Sequence, residues 1–175
     1  MIILYQGARG RGKTLSMTKD AYKYHLAGWN IVSNMESLGF AKYMSPEDML
    51  NIDKDFKLDN CVLVIDEIQS MFDSRRSGAK ENIKFSVFIQ QIRKRGMIFL
   101  ATTQYANTVD LRFRQHLDIV AVPKFNKNFN VCEVMYVDIT TQEDALFGIV
   151  EPKVASVVYD ARDIFKLYND KELIR

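Results

Sequence analysis

Residues 7–14 read Gly-Ala-Arg-Gly-Arg-Gly-Lys-Thr and directly follow the apolar run Ile-Ile-Leu-Tyr at 2–5. A buried strand that breaks into a glycine-rich loop and then a helix is the setting in which G-x-x-x-x-G-K-[ST] binds nucleotides. Gly7, Gly10 and Gly12 allow the backbone to turn so that its N–H groups point inward. Those donors and the positive end of the following helix can hold a β-phosphate. The stretch therefore predicts an α/β fold with a nucleoside triphosphate site.

The end of this phosphate loop carries side chains with separate expected roles. We expect Lys13 to place its ammonium on the β- and γ-phosphate oxygens, and Thr14 to offer its hydroxyl to Mg²⁺. Arg9 and Arg11 either contact phosphate or point into solvent, and we expect solvent. A glycine-rich turn without a ligand is the alternative, but the fixed spacing in a strand–helix setting argues against it. The candidate residues for binding ATP are Gly7, Ala8, Arg9, Gly10, Arg11, Gly12, Lys13, Thr14 and Leu15.

A second motif, Cys61 to Glu67, ends an apolar strand on two adjacent acids. Five apolar, mostly β-branched residues indicate a strand buried on both faces of a parallel sheet. Ligands of such sheets collect at the carboxyl ends of the strands. Asp66 suits the binding of Mg²⁺ through a water, and Glu67 suits the polarising of the water that attacks the γ-phosphate. The alternative for Glu67 is that it caps a helix predicted over 68–72, since acids favour a helix start.

Length and composition agree with one domain. The chain has 175 residues and a net charge of +2, so we expect a single domain with its core over 1–123 and an extension over 124–175. With so small a net charge, any surface that attracts nucleic acid has to be local. Cys61 and Cys132 are expected to be buried apolar residues without a disulfide, which fits a reducing, cytoplasmic setting. No apolar run in the sequence approaches the ~20 residues of a membrane span, and because the first predicted strand begins at residue 2 we expect no signal peptide.

Alternating elements predict a three-layer α/β sandwich with a mostly parallel central sheet. The predicted strands are 2–6, 29–33, 61–65, 97–101, 117–122, 131–139 and 154–159, and the predicted helices are 13–27, 46–51, 68–72 and 81–95, with a short helix before 169. After Pro123 the pattern changes. Asn126-Lys127-Asn128 is typical of a turn and the following residues alternate, so we expect a β-hairpin appended to the sheet.

Together, these motifs resemble the additional-strand, catalytic-glutamate branch of P-loop ATPases, which have RecA-like folds. Gln-Ile-Arg-Lys-Arg-Gly at 91–96, running into Phe-Leu-Ala-Thr-Thr-Gln at 99–104, resembles the FtsK–HerA superfamily. Within it, the chain is most similar to the ATPase domains of zonula occludens toxin (Zot)-like phage assembly proteins and to viral genome-packaging ATPases. The Zot-like similarity rests on Ile-Val-Ser-Asn at 31–34, Asp-x-x-x-Arg at 110–114 and Val-Tyr-Asp-Ala-Arg at 158–162.

The resemblance implies further catalytic groups. Gln104 is expected to be a sensor that contacts the γ-phosphate or the attacking water, because its amide both donates and accepts. The alternative is a glutamine that simply ends a strand. Members of the superfamily form rings, usually hexamers, in which a neighbour's arginine completes each site. Arg114 and Arg93 are the first candidates for that arginine finger, ahead of Arg75, Arg76, Arg95 and Arg112.

The resemblance also implies DNA as the substrate, contacted through its backbone without sequence preference. The segment 73–80, with Arg75, Arg76 and Lys80, is the first candidate contact, and the mixed basic and aromatic segment 125–129 is the second; either can instead be a solvated loop. Zot-like proteins continue into a membrane-spanning segment, and we expect none in this sequence. We therefore expect a soluble homo-oligomeric motor that packages DNA or assembles virions. We expect it in the cytoplasm, or in a host's cytoplasm, with a virion or membrane-complex protein as a further partner.

Two other functions compete with a motor. Residues 65–72 also resemble the Asp-Glu-x-Gln-Phe segment of type II thymidine kinases, where the acid acts as base on a nucleoside hydroxyl. Those enzymes normally carry a cysteine-rich zinc lasso, and nucleotide kinases an arginine-rich lid, neither of which is present in this sequence. The other alternative is a nucleotide-dependent scaffold. The intact set of Lys13, Thr14, Asp66, Glu67 and Gln104 argues against it.

Overall fold

The structure is a computed structural model that describes residues 1–50, 60–70, 79–140 and 153–168. A single β-sheet runs through these residues. The strands are β1 Ile2–Gln6, β2 Asn30–Ser33, β3 Lys42–Tyr43, β4 Cys61–Ile65, β5 Ile98–Thr103, β6 Ile119–Asn126, β7 Val131–Asp138 and β8 Val154–Asp160. Their order is β3-β2-β4-β5-β1-β6-β7-β8. All pairs from β3 to β6 are parallel, whereas β6–β7 and β7–β8 are antiparallel. The predicted mostly parallel sheet with a hairpin extension is confirmed.

Helices cover both faces of this sheet. They are α1 Lys13–Leu26, α2 Pro46–Leu50, α3 Ala79–Lys94 and α4 Leu111–Gln115, with 3₁₀ turns at Ile68–Ser70, Ala106–Thr108 and Ile164–Leu167. Successive strand residues face opposite sides, so Ile3 and Tyr5 pack with α1 while Ile2 and Leu4 pack with α3 and α4. The result is the predicted three-layer sandwich. Within the described ranges, no helix is both long and apolar enough to cross a membrane.

The strand predictions agree with the structure where the apolar runs are long. The strand predicted over 61–65 has these bounds, and both cysteines are buried; burial raises the pKa of the Cys61 thiol to about 11. The short elements β3 and α4 were not predicted, because they are too brief to show a periodicity. Of the helix predicted over 68–72 the structure describes a 3₁₀ turn at 68–70. Residues 71–78, which include Arg75 and Arg76, lie outside the described residues.

The position of β5 determines where the site lies. It pairs with β1 on one side and β4 on the other, so the strand that leads into the phosphate loop is not next to the strand that ends on the two acids. This inserted strand is the feature of the additional-strand branch. Because these strands are parallel, their carboxyl ends meet at one edge of the sheet. The phosphate loop, Asp66 and Gln104 all follow strands at that edge.

The hairpin extension begins within β6, and Pro123 is compatible with that strand. Only residues 119–121 of β6 pair with β1, whereas 119–126 all pair with β7. The N–H of Phe125 points away from β7 and donates to the Arg11 carbonyl at 3.1 Å. Pro123 is two residues before Phe125, so the position of its missing N–H also faces away from β7. On that side β6 pairs with β1 only over residues 119–121, so no β1 partner is lost either. The proline therefore removes no hydrogen bond from the β6–β7 ladder.

A partly buried carboxylate connects this extension to α1. Asp20 Oδ2 accepts hydrogen bonds from the hydroxyls of Tyr5 and Tyr136, both at 2.6 Å, and Lys19 Nζ donates to Asp20 Oδ1 at 2.8 Å. Burial raises the pKa of Tyr5 and of Tyr136 well above its usual value, and the Asp20 charge raises it further. Both tyrosines therefore stay protonated and remain donors. Strands β1 and β7 are thus joined to one helix side chain.

Removing one of these donors should loosen the extension. We expect Tyr136→Phe to lower the free energy of unfolding by about 1.5–3 kcal/mol, the range for a hydrogen bond to a charged group. Urea unfolding measures it. Tyr105→Phe is the matched control, since Tyr105 is 63% exposed and its change should stay within about 0.5 kcal/mol. An equal effect of the two variants would mean that Tyr136 does not anchor the hairpin.

Candidate active site

The phosphate loop has the backbone that a phosphate cradle requires. Gly7, Gly10 and Gly12 have φ values of 149°, 77° and 89°, a region that side chains with a Cβ rarely adopt. Lys13 begins α1 and is only 7% exposed, and its Nζ donates to the Ala8 carbonyl at 3.4 Å. The ammonium is therefore folded back over the loop, where phosphate oxygens would lie.

Gly12 is also enclosed by the hairpin. A Cβ built on Gly12 would lie 3.1 Å from Cys132 Sγ and 3.1 Å from Phe125 Cβ. One turn into α1, Ser16 contacts Cys132 Sγ at 3.5 Å and the Tyr159 hydroxyl at 3.0 Å. Strands β6, β7 and β8 thus contact the loop and its helix directly.

A candidate metal site lies between α1 and β4. Thr14 Oγ1 donates to Asp66 Oδ1 at 3.0 Å, and Thr102 Oγ1 donates to the same oxygen at 2.6 Å. Burial raises the pKa of Asp66, although the two threonine hydrogen bonds oppose that shift. Mg²⁺ prefers hard oxygen ligands and keeps several of its waters. The hydrogen bond to Asp66 uses the proton of the Thr14 hydroxyl and leaves its oxygen free to face an ion, so the pair fits Mg²⁺ with Thr14 as a direct ligand and Asp66 acting through a water.

The backbone of Asp66 is held by Asn34, which directly follows β2. Asn34 Oδ1 accepts from the Asp66 N–H at 2.8 Å, and Asn34 Nδ2 donates to the Asp66 carbonyl at 3.0 Å. The Asn34 side-chain amide therefore makes, to the backbone just past β4, the two hydrogen bonds that a further residue of a paired strand would make. Asn34 is 4% exposed, so water does not compete for these bonds.

Glu67 has an uncommon backbone and two specific hydrogen bonds. Its φ is 54°, the left-handed region in which non-glycine residues are uncommon. Its N–H donates to Thr102 Oγ1 at 2.9 Å, and its carboxylate Oε2 accepts from Gln69 Nε2. Gln69 Oε1 in turn accepts from Thr103 Oγ1 at 3.1 Å. Both acids are thus bonded to the end of β5.

Gln104 follows directly at this edge. It comes after the buried Thr103, whose carbonyl accepts from the Gly7 N–H at 3.3 Å. Its own side chain is partly exposed. The sheet order therefore sets Gln104 between the loop strand and the strand of the acids, as a sensor requires.

The predicted arginines are not gathered at this edge. Arg93 Nη2 contacts the His116 carbonyl at 3.3 Å and Asp118 Oδ1 at 3.4 Å. Asp118 also accepts from the N–H of Ile2, so Arg93 lies at the amino-terminal edge, opposite its own phosphate loop. Arg114 lies on α4, and its Nε is buried with no hydrogen-bond partner among the described residues. Arg93 is therefore too far from this chain's own phosphate loop to act on it.

Four further arginines among the described residues either have side-chain partners or are exposed. Arg112 forms an ion pair with Asp110 at 2.7 Å, and Arg95 Nε donates to Gln91 at 3.2 Å. Arg9 and Arg11 are exposed, in agreement with the expectation that they point into solvent. Their contact with a nucleotide remains a prediction.

A glycine loop on a parallel strand, a threonine–aspartate pair and an adjacent glutamate together define a P-loop ATPase. Residues 3–123 match the family model described as "ATPase family associated with various cellular activities (AAA)". The chain belongs to this family and is an ATPase. A search of curated proteins finds no match.

Solved structures share the fold at low sequence identity. The N-terminal domain of zonular occludens toxin from Neisseria meningitidis superposes with a TM-score of 0.65 at 18% identity, covering 96% of this chain and 98% of that one. The genome packaging NTPase B204 from Sulfolobus turreted icosahedral virus 2, in complex with ATP-gammaS, has a TM-score of 0.60 at 12% identity, covering 87% and 95%. The flagellar accessory protein FlaH from Methanocaldococcus jannaschii has a TM-score of 0.53 at 10% identity, covering 79% and 77%. The predicted similarity to Zot-like and viral packaging ATPases is thus confirmed for the fold.

Sequence reasoning missed the contacts that hold the acids. Thr102, Gln69 and Asn34 appeared only within longer matching stretches, without an assigned role. A usable signal was present, because each is a polar residue at, or within a few residues of, the end of a buried strand. Parallel strands bring such ends together, but which of them meet depends on the strand order.

The close approach of the hairpin to the loop has a testable consequence. We expect Gly12→Ala to lower the free energy of unfolding by about 2–5 kcal/mol, because a left-handed alanine costs about 1–2 and overpacking about 1–3. Gly10→Ala is the control. Gly10 has a similar positive φ, but nothing lies within 4 Å of its Cβ, so only about 1–2 kcal/mol should be lost. Equal losses in urea unfolding would contradict the contact with Cys132 and Phe125.

Proposed function

We propose that this chain is a ring-forming ATP-hydrolysing motor that moves or packages DNA, with Glu67 as its catalytic base. The observation that carries the hydrolytic part is the hydrogen bond of Thr14 to Asp66 with Glu67 as the next residue. It joins the start of the phosphate-loop helix to the pair of acids. The terminal phosphate of ATP, held by Lys13, would therefore meet a carboxylate suited to activating water.

In this mechanism each residue has one task. The loop and Lys13 bind the β- and γ-phosphates, and Gln104 orients a water in line with the γ-phosphorus. Glu67 accepts the water's proton as the new oxygen–phosphorus bond forms and the bond to the β–γ bridging oxygen breaks, releasing ADP and phosphate. Thr14 and Asp66 would hold Mg²⁺, which when bound would neutralise negative charge on the reacting phosphates. Thr102 and Gln69 keep the two acids in position.

Replacing the base should separate binding from turnover. We expect Glu67→Gln to lower kcat for phosphate release about 10²–10⁴-fold, the usual contribution of a general base, while the Kd for ATP changes little. Phosphate release and equilibrium ATP binding measure the two effects. Glu133→Gln makes the same chemical change at an exposed residue of β7 and should retain full activity.

Two outcomes would contradict this assignment. Unchanged turnover in Glu67→Gln would remove Glu67 from the chemistry. Transfer of phosphate to thymidine rather than to water by the wild type would favour the kinase alternative, in which the same acid acts on a nucleoside hydroxyl.

The motor part of the proposal rests on similarity and on the surface near the site. Relatives in fold include a protein described as a genome packaging NTPase, and a ring would allow Arg114 or Arg93 to complete a neighbour's site. The narrower FtsK–HerA assignment and a hexameric ring are part of this proposal. Among the described residues, the β6–β7 turn is the best candidate for contact with a DNA backbone, since Lys127 is exposed and Phe129 is 73% exposed.

This turn is connected to the phosphate loop. Phe125, two residues before Lys127, donates its N–H to the Arg11 carbonyl. A ligand on the turn could therefore influence the loop through one short path. Phe125 itself is partly buried and packs against Phe165, so of the segment 125–129 we propose the turn alone as the DNA contact.

DNA should raise the ATPase rate if the motor proposal holds. We expect stimulation that falls as salt rises, because Lys contacts to phosphate release counterions, and that is weakened severalfold in Lys127→Ala. Lys94→Ala removes an exposed lysine at the opposite edge of the sheet and is the control. Light scattering with and without ATP gives the assembly mass. No stimulation by single- or double-stranded DNA would overturn the DNA part while leaving ATP hydrolysis intact.

A further inference from the structure

The strand order fixes the direction in which a bound nucleotide must lie. The acids follow β4, which is two positions from β1 on one side, whereas β6, β7 and β8 lie on the other side. If the terminal phosphate points to Asp66 and Glu67, the ribose and base leave the loop toward β6. This step rests on the proposed function, since it takes the acids as the γ-phosphate end.

An aromatic pair lies on that side and at that edge. Phe125, next to last in β6, and Phe165, in the 3₁₀ turn after β8, have ring centroids 5.6 Å apart at an interplanar angle of 76°. Strand β8 runs parallel to β6, because both are antiparallel to β7. The end of β8 and the turn that follows it are therefore at the same edge as the phosphate loop.

Phe125 is in contact with the loop itself. Its N–H donates to the Arg11 carbonyl at 3.1 Å, and its Cβ is 3.1 Å from the position of a Cβ on Gly12. Phe125 therefore touches the backbone that would hold the β-phosphate, and Phe165 packs against Phe125. A nucleoside that leaves the loop on this side meets the pair first.

Phe165 is held in place yet remains open to solvent. The N–H groups of Ile164 and Phe165 both donate to the Ala161 carbonyl at 3.1 Å, and Ala161, fully buried, donates its own N–H to the Asn130 carbonyl at 2.8 Å. The Phe165 side chain is nevertheless 40% exposed. A fixed aromatic ring with an open part is suited to stacking on a flat, apolar ligand.

We propose that Phe125 and Phe165 form the platform for the nucleobase, with the base stacked on the exposed part of Phe165 and Phe125 supporting that ring. Stacking on an aromatic side chain uses the π-face that every base has. The platform therefore supplies affinity for a nucleoside triphosphate over an inorganic polyphosphate, without strong selection among bases.

Comparison of ATP with inorganic tripolyphosphate tests this platform. We expect Phe165→Ala to raise the Kd for ATP about 5–150-fold, the range for loss of one base–aromatic stack, and to leave the Kd for tripolyphosphate unchanged. Isothermal titration measures both. Tyr43→Ala, which removes an aromatic ring of similar exposure (42%) from β3 at the far end of the sheet, is the control and should leave both constants unchanged.

A conservative variant gives an independent signal. Phe165→Trp should restore ATP affinity, and its fluorescence should be quenched by ATP but not by tripolyphosphate, against the constant background of Trp29, the single native tryptophan. Unchanged ATP affinity in Phe165→Ala, or an equal weakening of both ligands, would overturn the platform. Failure of the wild type to bind either ligand would instead overturn the proposed function, and the platform with it.

Discussion

The carboxylate of Asp66 is the group on which the rest of the site depends. One of its oxygens accepts hydrogen bonds from Thr14 at the start of α1 and from Thr102 in β5, while Asn34 at the end of β2 holds its backbone. Burial alone makes this charge costly and raises its pKa, so these donors offset a real penalty. Because they come from three separate segments, the pocket exists only once the sheet is assembled in its particular order.

The hairpin extension supports the same site from the other side of β1. Gly12 has little room for a Cβ because Cys132 and Phe125 occupy that space, and Ser16 contacts the Tyr159 hydroxyl. The loop is therefore held between the β4–β5 side and the β6–β8 side. This gives the extension a structural role at the site, beyond lengthening the sheet, and explains why its strands carry partly buried polar groups such as Tyr136 next to α1.

Local patterns in the sequence were enough to predict the strands at 2–6 and 61–65, the loop between 7 and 14 and the general sheet architecture. Each of these depends on residues that are close in sequence. The two-residue β3 and the single-turn α4 carry too few residues for a periodicity. The role of Thr102 depends on β5 lying between β1 and β4, and the contact of Gly12 with Cys132 joins residues 120 positions apart. Such relations follow from the strand order, which apolar runs do not encode.

Strand β5 also links the groups that would respond to the terminal phosphate. The Thr103 carbonyl accepts from Gly7 at the start of the loop, and its hydroxyl donates to Gln69, which donates to the Glu67 carboxylate. Gln104 is the next residue along the chain. In the proposed mechanism Gln104 moves when it meets a γ-phosphate. The residue before it, Thr103, carries the hydroxyl that orients the Gln69 amide. That amide donates to the Glu67 carboxylate. The strand end that carries Gln104 therefore also positions the carboxylate that is the proposed base.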